Sequence, residues 1–202
     1  MIYRGKRTFD LVLALLLGLL FAPIAAIVAL CLWICEGAVL FHQVRAGLDG
    51  WPLTVWKFRS MREARDENGA PLADSLRLTR LGRFIRQTSL DEIPQLWNVL
   101  KGEMSVIGPR PLPIEYLNRY SARQATRHRV LPGITGWAQV NGRNALAWEE
   151  KFALDVWYVE HVSFLLDVKI LLLTIYAVVK RRGISAPGHA TMTEFRGAAF
   201  ER

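Results

Sequence analysis

Asp91 and Glu92 stand side by side in Ser89-Leu90-Asp91-Glu92, and cations flank them in sequence. Arg86 lies just upstream, and downstream Gly108-Pro109-Arg110-Pro111 presents an arginine between two prolines. Trp56-Lys57-Phe58-Arg59 adds two more cations. An adjacent acidic pair has an ordinary use: Asp is a good N-cap, Glu suits a first helical turn, and Ser89 followed by Glu92 spells a capping box. Taken alone, the pair reads as capping. Its neighbours change that reading. Prolines on both sides of Arg110 reduce its backbone freedom, which is useful where a guanidinium must be held ready for a phosphate. Carboxylates amid many cations point to a hard metal ion together with a polyphosphate.

The whole-chain composition agrees with an anionic partner. The 202 residues carry Lys+Arg 26 against Asp+Glu 18, a net +8, and are 51% hydrophobic and 22% charged. Such a chain is neither disordered nor fibrous, and its length fits one domain. The apolar residues are unevenly spread: 11–35 hold no charge. That run argues against a purely soluble globule, and the lack of a second such run argues against a multi-span transporter. Cys31 and Cys35 both lie inside it, so a disulfide-stapled scaffold is excluded. They read as small apolar residues, with thioacylation as the alternative. No His/Cys cluster has zinc spacing.

As a helix, 11–35 would reach about 37 Å, enough to cross a bilayer core, and it exceeds the usual core of a signal peptide. Two features argue against a straight span. Pro23 sits mid-run, where a proline costs one backbone hydrogen bond and kinks a helix. Arg4, Lys6 and Arg7 precede the run while Arg45, Lys57 and Arg59 follow it, so neither end is preferred for translocation. A helix that enters, breaks at Pro23 and returns to the same face satisfies both, with a single spanning anchor as the alternative.

The remaining chain supplies the elements that must position the charged residues. Short strands are expected around Gly47-Leu48-Asp49-Gly50, then a charged loop over 62–75 with Gly69 and Pro71 as breakers. Arg77, Arg80, Arg83 and Arg86 recur at steps of three, opposite Leu78, Leu81, Phe84 and Ile85. They form either a solvated face or a site for phosphate or anionic headgroups. Pro94 sets the start of a helix over 91–101, which Gly102 stops. An extended loop (105–113), a polar helix (114–129), a turn-rich loop (131–143) and a helix (147–160) are expected next. The last apolar segment, from Val162, is interrupted by Asp167 and Lys169 and ends in Lys180-Arg181-Arg182. It reads as an amphipathic helix in a membrane interface, with a buried core helix as the alternative.

KFRSM (57–61), SLDEIPQLWNVLKGEMSVIGPRP (89–111), PGITGWAQVNGR (132–143) and FALDVWYVE (152–160) occur in this order. On these motifs, which cover almost the whole chain, the protein resembles the small monotopic phosphoglycosyl transferases of bacteria. Larger members carry extra N-terminal membrane helices, whereas this chain starts at the apolar run. The resemblance implies an α+β, mostly helical, membrane-associated monotopic fold. A re-entrant helix-break-helix would occupy 1–36, and a catalytic domain packed on the membrane interface would occupy 37–202. At the break, Ala22-Pro23 stands where members often have Ser-Pro.

The resemblance also implies a chemistry. Asp91 corresponds to a nucleophile that attacks the β-phosphate of a UDP-sugar, releases UMP and becomes a phosphosugar–aspartyl intermediate. An undecaprenyl phosphate acceptor then takes the sugar phosphate. Glu92 is the second catalytic acid, and Mg²⁺ on Asp91 and Glu92 screens the diphosphate. Lys57, Arg59, Arg86, Arg110, Gln139, Asn141, Arg143 and Asp155 fall at substrate-binding positions. The tail at 188–195 resembles members that use UDP-N,N′-diacetylbacillosamine. The expected setting is the cytoplasmic face of a bacterial inner membrane, on one anionic leaflet, without nucleic acid; a homo-oligomer is left open. Two other classes remain: a membrane-bound, metal-dependent diphosphate hydrolase, and a non-catalytic membrane-anchored adaptor that binds anions.

Overall fold

A computed structural model describes residues 2–70, 72–142, 145–180 and 194–197. The apolar run forms helix α1, Lys6–Glu36, which continues unbroken through Pro23. The break expected at Ala22-Pro23 is therefore absent. Proline forfeits one bond of the ladder, and the surrounding turns carry the helix past it. Among the described residues this is the one helix long and apolar enough to cross a membrane. Both of its ends are fastened to the rest of the protein. Near the start, the Arg7 guanidinium donates to the carbonyls of Val99 (2.6 Å) and Leu100 (3.0 Å), and Asp10 accepts from the Ser105 hydroxyl (2.9 Å) and the Val106 amide (3.0 Å). At the far end Glu36 pairs with Arg62 at 2.8 Å. Ala14, Val28 and Leu32 are buried, but Leu19 is 76% exposed and Leu16, Leu20, Ile27 and Ile34 are also exposed. That leaves a long apolar face uncovered.

Strands β1 (Leu40–Ala46) and β2 (Pro52–Phe58) form the expected antiparallel hairpin, with Leu40 opposite Phe58 and Ala46 opposite Pro52. Leu53 and Val55 point into the core, so period-two alternation puts Lys57 on the same inward face. The four-arginine stripe is divided between two helices, α2 (Asp74–Arg77) and α3 (Arg80–Gln87). Leu78 leaves helical geometry, and the Thr79 hydroxyl caps α3 by accepting from the Gly82 amide at 2.9 Å. A 3₁₀ turn at Leu90–Glu92 leads into α4 (Gln95–Lys101), which packs against α1. Asn98 in α4 is fully buried. It accepts from the Trp56 amide and donates to the Thr54 carbonyl, pinning β2 to α4.

Short parallel strands β3 (Ser105–Ile107) and β4 (Gly133–Thr135) occupy segments expected as loops. They sit so close that a Cβ on Gly108 would lie 2.4 Å from the Leu131 carbonyl oxygen, and one on Gly133 would lie 2.1 Å from the Gly108 nitrogen. Only glycine fits either position. The polar helix expected over 114–129 is instead two 3₁₀ segments flanking α5 (Ala122–Ala125), which Ser121 and Gln124 close with a capping box. Tyr120 leaves helical geometry (φ −77°, ψ 141°) and interrupts the segment. Helices α6 (Trp137–Val140), α7 (Trp148–His161) and α8 (Phe164–Val179) complete the order.

The two charges interrupting α8 point to different sides, Asp167 into the core and Lys169 to the surface. Asp167 is fully buried and bonded to Tyr3, Lys6 and Tyr158, while the Lys169 ammonium lies 5.3 Å from the Trp137 ring centre. Apart from Lys169, the outward face of α8 is apolar, with Leu165 79% exposed beside Leu172 and Ile175. The main core gathers Ala14 of α1 with Val55, Val99, Met104, Ile107, Tyr158 and Ile170. A second, aromatic cluster joins Tyr116, Trp148 and Phe152 to Phe195. A third packs Val28 and Leu32 of α1 on Phe58 and Ile85.

Candidate active site

The acidic pair lies between α3 and α4. Ser89 takes a left-handed conformation (φ 59°, ψ 17°), costly for a non-glycine residue, and so turns the chain ahead of Asp91. The capping box does not form. The Ser89 side chain makes no cap bond, and α4 starts at Gln95 with Pro94 as its N-cap rather than at Asp91. Glu92 is engaged elsewhere: its Oε1 accepts from Lys57 Nζ at 3.1 Å and from the Arg110 guanidinium. Lys57 Nζ also lies 3.9 Å from Asp91 Oδ2.

The two carboxyls are electrostatically unequal. Burial, with the Glu92 charge next to it, pushes Asp91 up to about 6 against the pull of Lys57, Arg110 and Arg86. Burial acts on Glu92 in the same sense, but the charges and hydrogen bonds of Arg110 and Lys57 outweigh it and hold this carboxyl well below the usual range. Near neutral pH, Asp91 is thus an ionised carboxylate of raised basicity, and Glu92 is the fixed anion that organises two cations.

Asp91 opens onto a cleft of about 850 Å³. Among the described residues, Arg45, Lys57, Arg83, Arg86, Arg110, Arg127 and Lys151 line it, against the carboxylates Asp91, Glu92 and Asp155. Apolar residues share the lining, among them Leu17 and Phe21 of α1, Leu90 and Ile93 beside the acidic pair, and Leu171 and Val178 of α8. A lining that combines many cations with many apolar side chains suits a polyanion that carries a hydrocarbon tail. Gln139 also lines the cleft, with both atoms of its buried side-chain amide unpartnered within the protein. A buried amide in that state calls for a partner from bound water or a ligand.

Of the other expected site residues, Asp155 shares the cleft, whereas Arg59 and Asn141 do not. Asp155 is buried and binds Arg127 through one oxygen, with Nε at 3.1 Å and Nη2 at 2.7 Å; Arg127 Nη2 also donates to the Arg110 carbonyl at 2.7 Å. Asp155 thus reaches Arg110 through Arg127. Arg59 is not among the cleft-lining residues: β2 ends at Phe58, and past it Arg59 pairs with Glu63 at 3.3 Å. Asn141 follows the last turn of α6, where its amide donates to the Trp137 carbonyl at 2.7 Å and its side chain faces solvent. Arg143, His189 and the tail through Thr193 lie outside the described residues, as do Arg181 and Arg182.

Sequence reasoning missed Arg45, Arg127 and Lys151. Burial lowers Arg45 to about 10 and Lys151 to about 8, with Arg110 adding to the effect on each. Lys151 was detectable in principle, since it precedes Asp155 by one helical turn and shares its face. Arg127 was not, because its partners are distant in the chain. Replacing the fully buried Arg127 by Lys keeps the charge but loses the forked contact, and is expected to cost about 2–3 kcal/mol in thermal or urea unfolding.

For the implied Mg²⁺, no group of three or more His, Cys, Asp or Glu able to hold a metal occurs among the described residues. The acidic pair still fits the habit of this ion, which takes one or two protein carboxylates and completes its shell with phosphate oxygens and water.

A family model for bacterial sugar transferases matches residues 2–181. The uncharacterized sugar transferase EpsL of Bacillus subtilis is 51% identical over 194 residues, covering 96% of each chain. The UDP-glucose:undecaprenyl-phosphate glucose-1-phosphate transferase of Escherichia coli is 41% identical over 85% of this chain and 39% of its own length. The undecaprenyl-phosphate galactose phosphotransferase of Salmonella typhimurium is 35% identical over 88% of this chain and 41% of its own. This chain therefore spans about two fifths of those two longer relatives. By the extent of the family match and its end-to-end likeness to EpsL, the chain belongs to the bacterial sugar transferase family.

Proposed function

We propose that this protein transfers a sugar 1-phosphate from a UDP-sugar to undecaprenyl phosphate, with Asp91 as a covalent nucleophile. The observation that carries this reading is a buried carboxylate of raised basicity in a cleft lined by both cationic and apolar side chains. Lys57, Arg86 and Arg110 bind and orient the diphosphate. An Asp91 oxygen attacks the β-phosphorus, the bond from that phosphorus to the bridging oxygen breaks, and UMP departs with the electron pair. An oxygen of the acceptor phosphate then attacks the same phosphorus, and the aspartyl–phosphorus bond breaks to restore the carboxylate. Asp91 and Glu92 would hold Mg²⁺, which would supply charge screening for an anion approaching an anion. Gln139 offers its unpartnered amide to the donor.

The apolar lining residues receive the start of the polyprenyl chain, delivered from one membrane leaflet. Helix α1 dips into that leaflet without crossing it. Its two ends are bonded to one folded body, through Arg7 and Asp10 at one end and Glu36 at the other, so both ends lie on the same side. The exposed apolar face of α8 rests in the same interface, on the cytoplasmic side of a bacterial membrane.

The test supplies detergent-solubilised protein with Mg²⁺, undecaprenyl phosphate and, in turn, UDP-glucose, UDP-galactose and UDP-N,N′-diacetylbacillosamine. UMP and a lipid-linked diphosphosugar are expected from one of them. Continuous formation of free sugar phosphate would identify a hydrolase instead, and absence of UMP with every donor would remove the enzymatic reading.

A further inference from the structure

We infer that Lys6 and Tyr158 are positioning residues for Arg110, acting through the backbone carbonyl of Ile107; the inference rests on the transferase reading above. Three donors converge on that one oxygen: Lys6 Nζ at 3.0 Å from α1, the Ser105 hydroxyl at 2.8 Å from β3, and the Tyr158 hydroxyl at 3.0 Å from α7. Each hydroxyl has a single proton, and each also lies within bonding distance of a carboxylate, Ser105 at 2.9 Å from Asp10 and Tyr158 at 2.8 Å from Asp167. Lys6 has three protons. It can serve the Ile107 carbonyl fully while meeting Asp167 at 2.8 Å and Asp10 at 3.4 Å. Asp10, Ser105, Tyr158 and Asp167 are all essentially buried. Simple packing of α1 would not need such a cluster, since apolar side chains of similar volume do that without desolvating charges.

The segment beyond Ile107 has little slack. The Gly108 amide donates to the Thr135 carbonyl (2.8 Å), the Pro109 carbonyl accepts from the Gly133 amide (2.9 Å), and the Arg110 carbonyl accepts from Arg127. Pro109 and Pro111 have fixed φ. A displacement of the Ile107 carbonyl therefore passes along a stiff strap to Arg110, whose guanidinium holds Glu92 beside Asp91. Arg7 acts in parallel, since it donates to the last carbonyls of α4, the helix that follows the acidic pair. The seating of the membrane helix is thus coupled to the geometry of the phosphate-reading arginine.

A double-mutant cycle separates positioning from general support. UMP release from a UDP-sugar, without lipid acceptor, is timed for the full chain, Lys6→Met, Tyr158→Phe, Arg110→Lys and the two doubles with Arg110→Lys. With Arg110 intact, Lys6→Met is expected to slow release about tenfold and Tyr158→Phe about threefold; with Arg110→Lys, each should matter by less than about twofold. Tyr158→Phe removes one oxygen and keeps the ring, so its arm decides the matter should Lys6→Met fold poorly. Equal losses in both backgrounds, or no loss with Arg110 intact, would overturn the positioning role. No UMP from the unsubstituted protein would instead overturn the transferase reading beneath it.

Discussion

Asp91→Asn is expected to abolish UMP release and, at the same time, to raise thermal stability. The first effect follows from removing the attacking oxygen, and a loss of at least about 10³-fold is expected in a timed UMP assay. The second follows from linkage. Burial holds the folded-state Asp91 carboxyl near 6, above its ordinary 3.8. Between these values the folded protein keeps a proton that the unfolded chain has released. The contribution of this group is therefore most favourable in acid and is lost as pH rises through that window. At pH 7.5 the ionised carboxylate costs about 1–3 kcal/mol, which a neutral amide of the same shape does not incur. Melts of Asp91→Asn in EDTA should lie a few degrees above those of the unsubstituted protein at pH 7.5, and the gap should narrow towards pH 4. For the unsubstituted enzyme, UMP release should fall in acid as the nucleophile becomes protonated, and Mg²⁺ on the carboxylate would move that fall to lower pH.

Glu92→Gln is expected to act in the opposite direction on stability. Glu92 has its carboxyl held low because the charges of Arg110 and Lys57 outweigh burial. Its contribution is present above the ordinary carboxylate range and is lost only as pH falls through and below it. Neutralising it leaves two cations facing each other without their shared anion. The cost is about 1–3 kcal/mol, the low end for breaking a buried pair, because the Arg110 side chain is 41% exposed and water screens it. UMP release should fall about 10²-fold as Lys57 and Arg110 lose their common anchor. Melting curves of the two variants measured side by side should therefore shift in opposite directions, although the substitutions are adjacent and both remove one negative charge.

Local pattern accounts for the parts of this architecture that were legible before the structure. The turn at Gly47–Gly50 marks the β1–β2 hairpin, and helical periodicity over 147–160 matches α7 to within a residue at each end. The failures have physical causes. Ser89-Leu90-Asp91-Glu92 has the letters of a capping box, but Lys57 and Arg110, far away in the chain, bind the carboxylate that would have closed it. Pro23 marks a weak point in α1, yet packing of Ala14 on one side and Val28 and Leu32 on the other accompanies a helix that stays continuous. Glycines at 108 and 133 look like loop residues in sequence, whereas the structure uses them where two backbones touch.

The site divides along the same line. Lys57, Arg86, Asp91, Glu92, Arg110 and Gln139 all line one cleft. Arg127 carries no local signal, because its role exists only where Asp155 and the Arg110 carbonyl meet it. Arg59 and Asn141 sit within motif segments but past the ends of β2 and α6, where their side chains turn to other partners. Asp167 and Lys169 looked like polar interruptions of an interfacial helix. The fold turns Asp167 inward, where it becomes part of the clamp on Ile107, and leaves Lys169 exposed beside the Trp137 ring.

The covalent role of Asp91 is open to direct weighing. Intact-protein mass spectrometry after incubation with Mg²⁺ and an accepted UDP-sugar, without lipid acceptor, should find one added sugar phosphate per chain. UMP released should match it mole for mole, the adduct should map to the peptide containing Asp91, and added undecaprenyl phosphate should discharge it. Steady UMP release with no adduct at any time, or an adduct that persists in Asp91→Asn, would contradict the account.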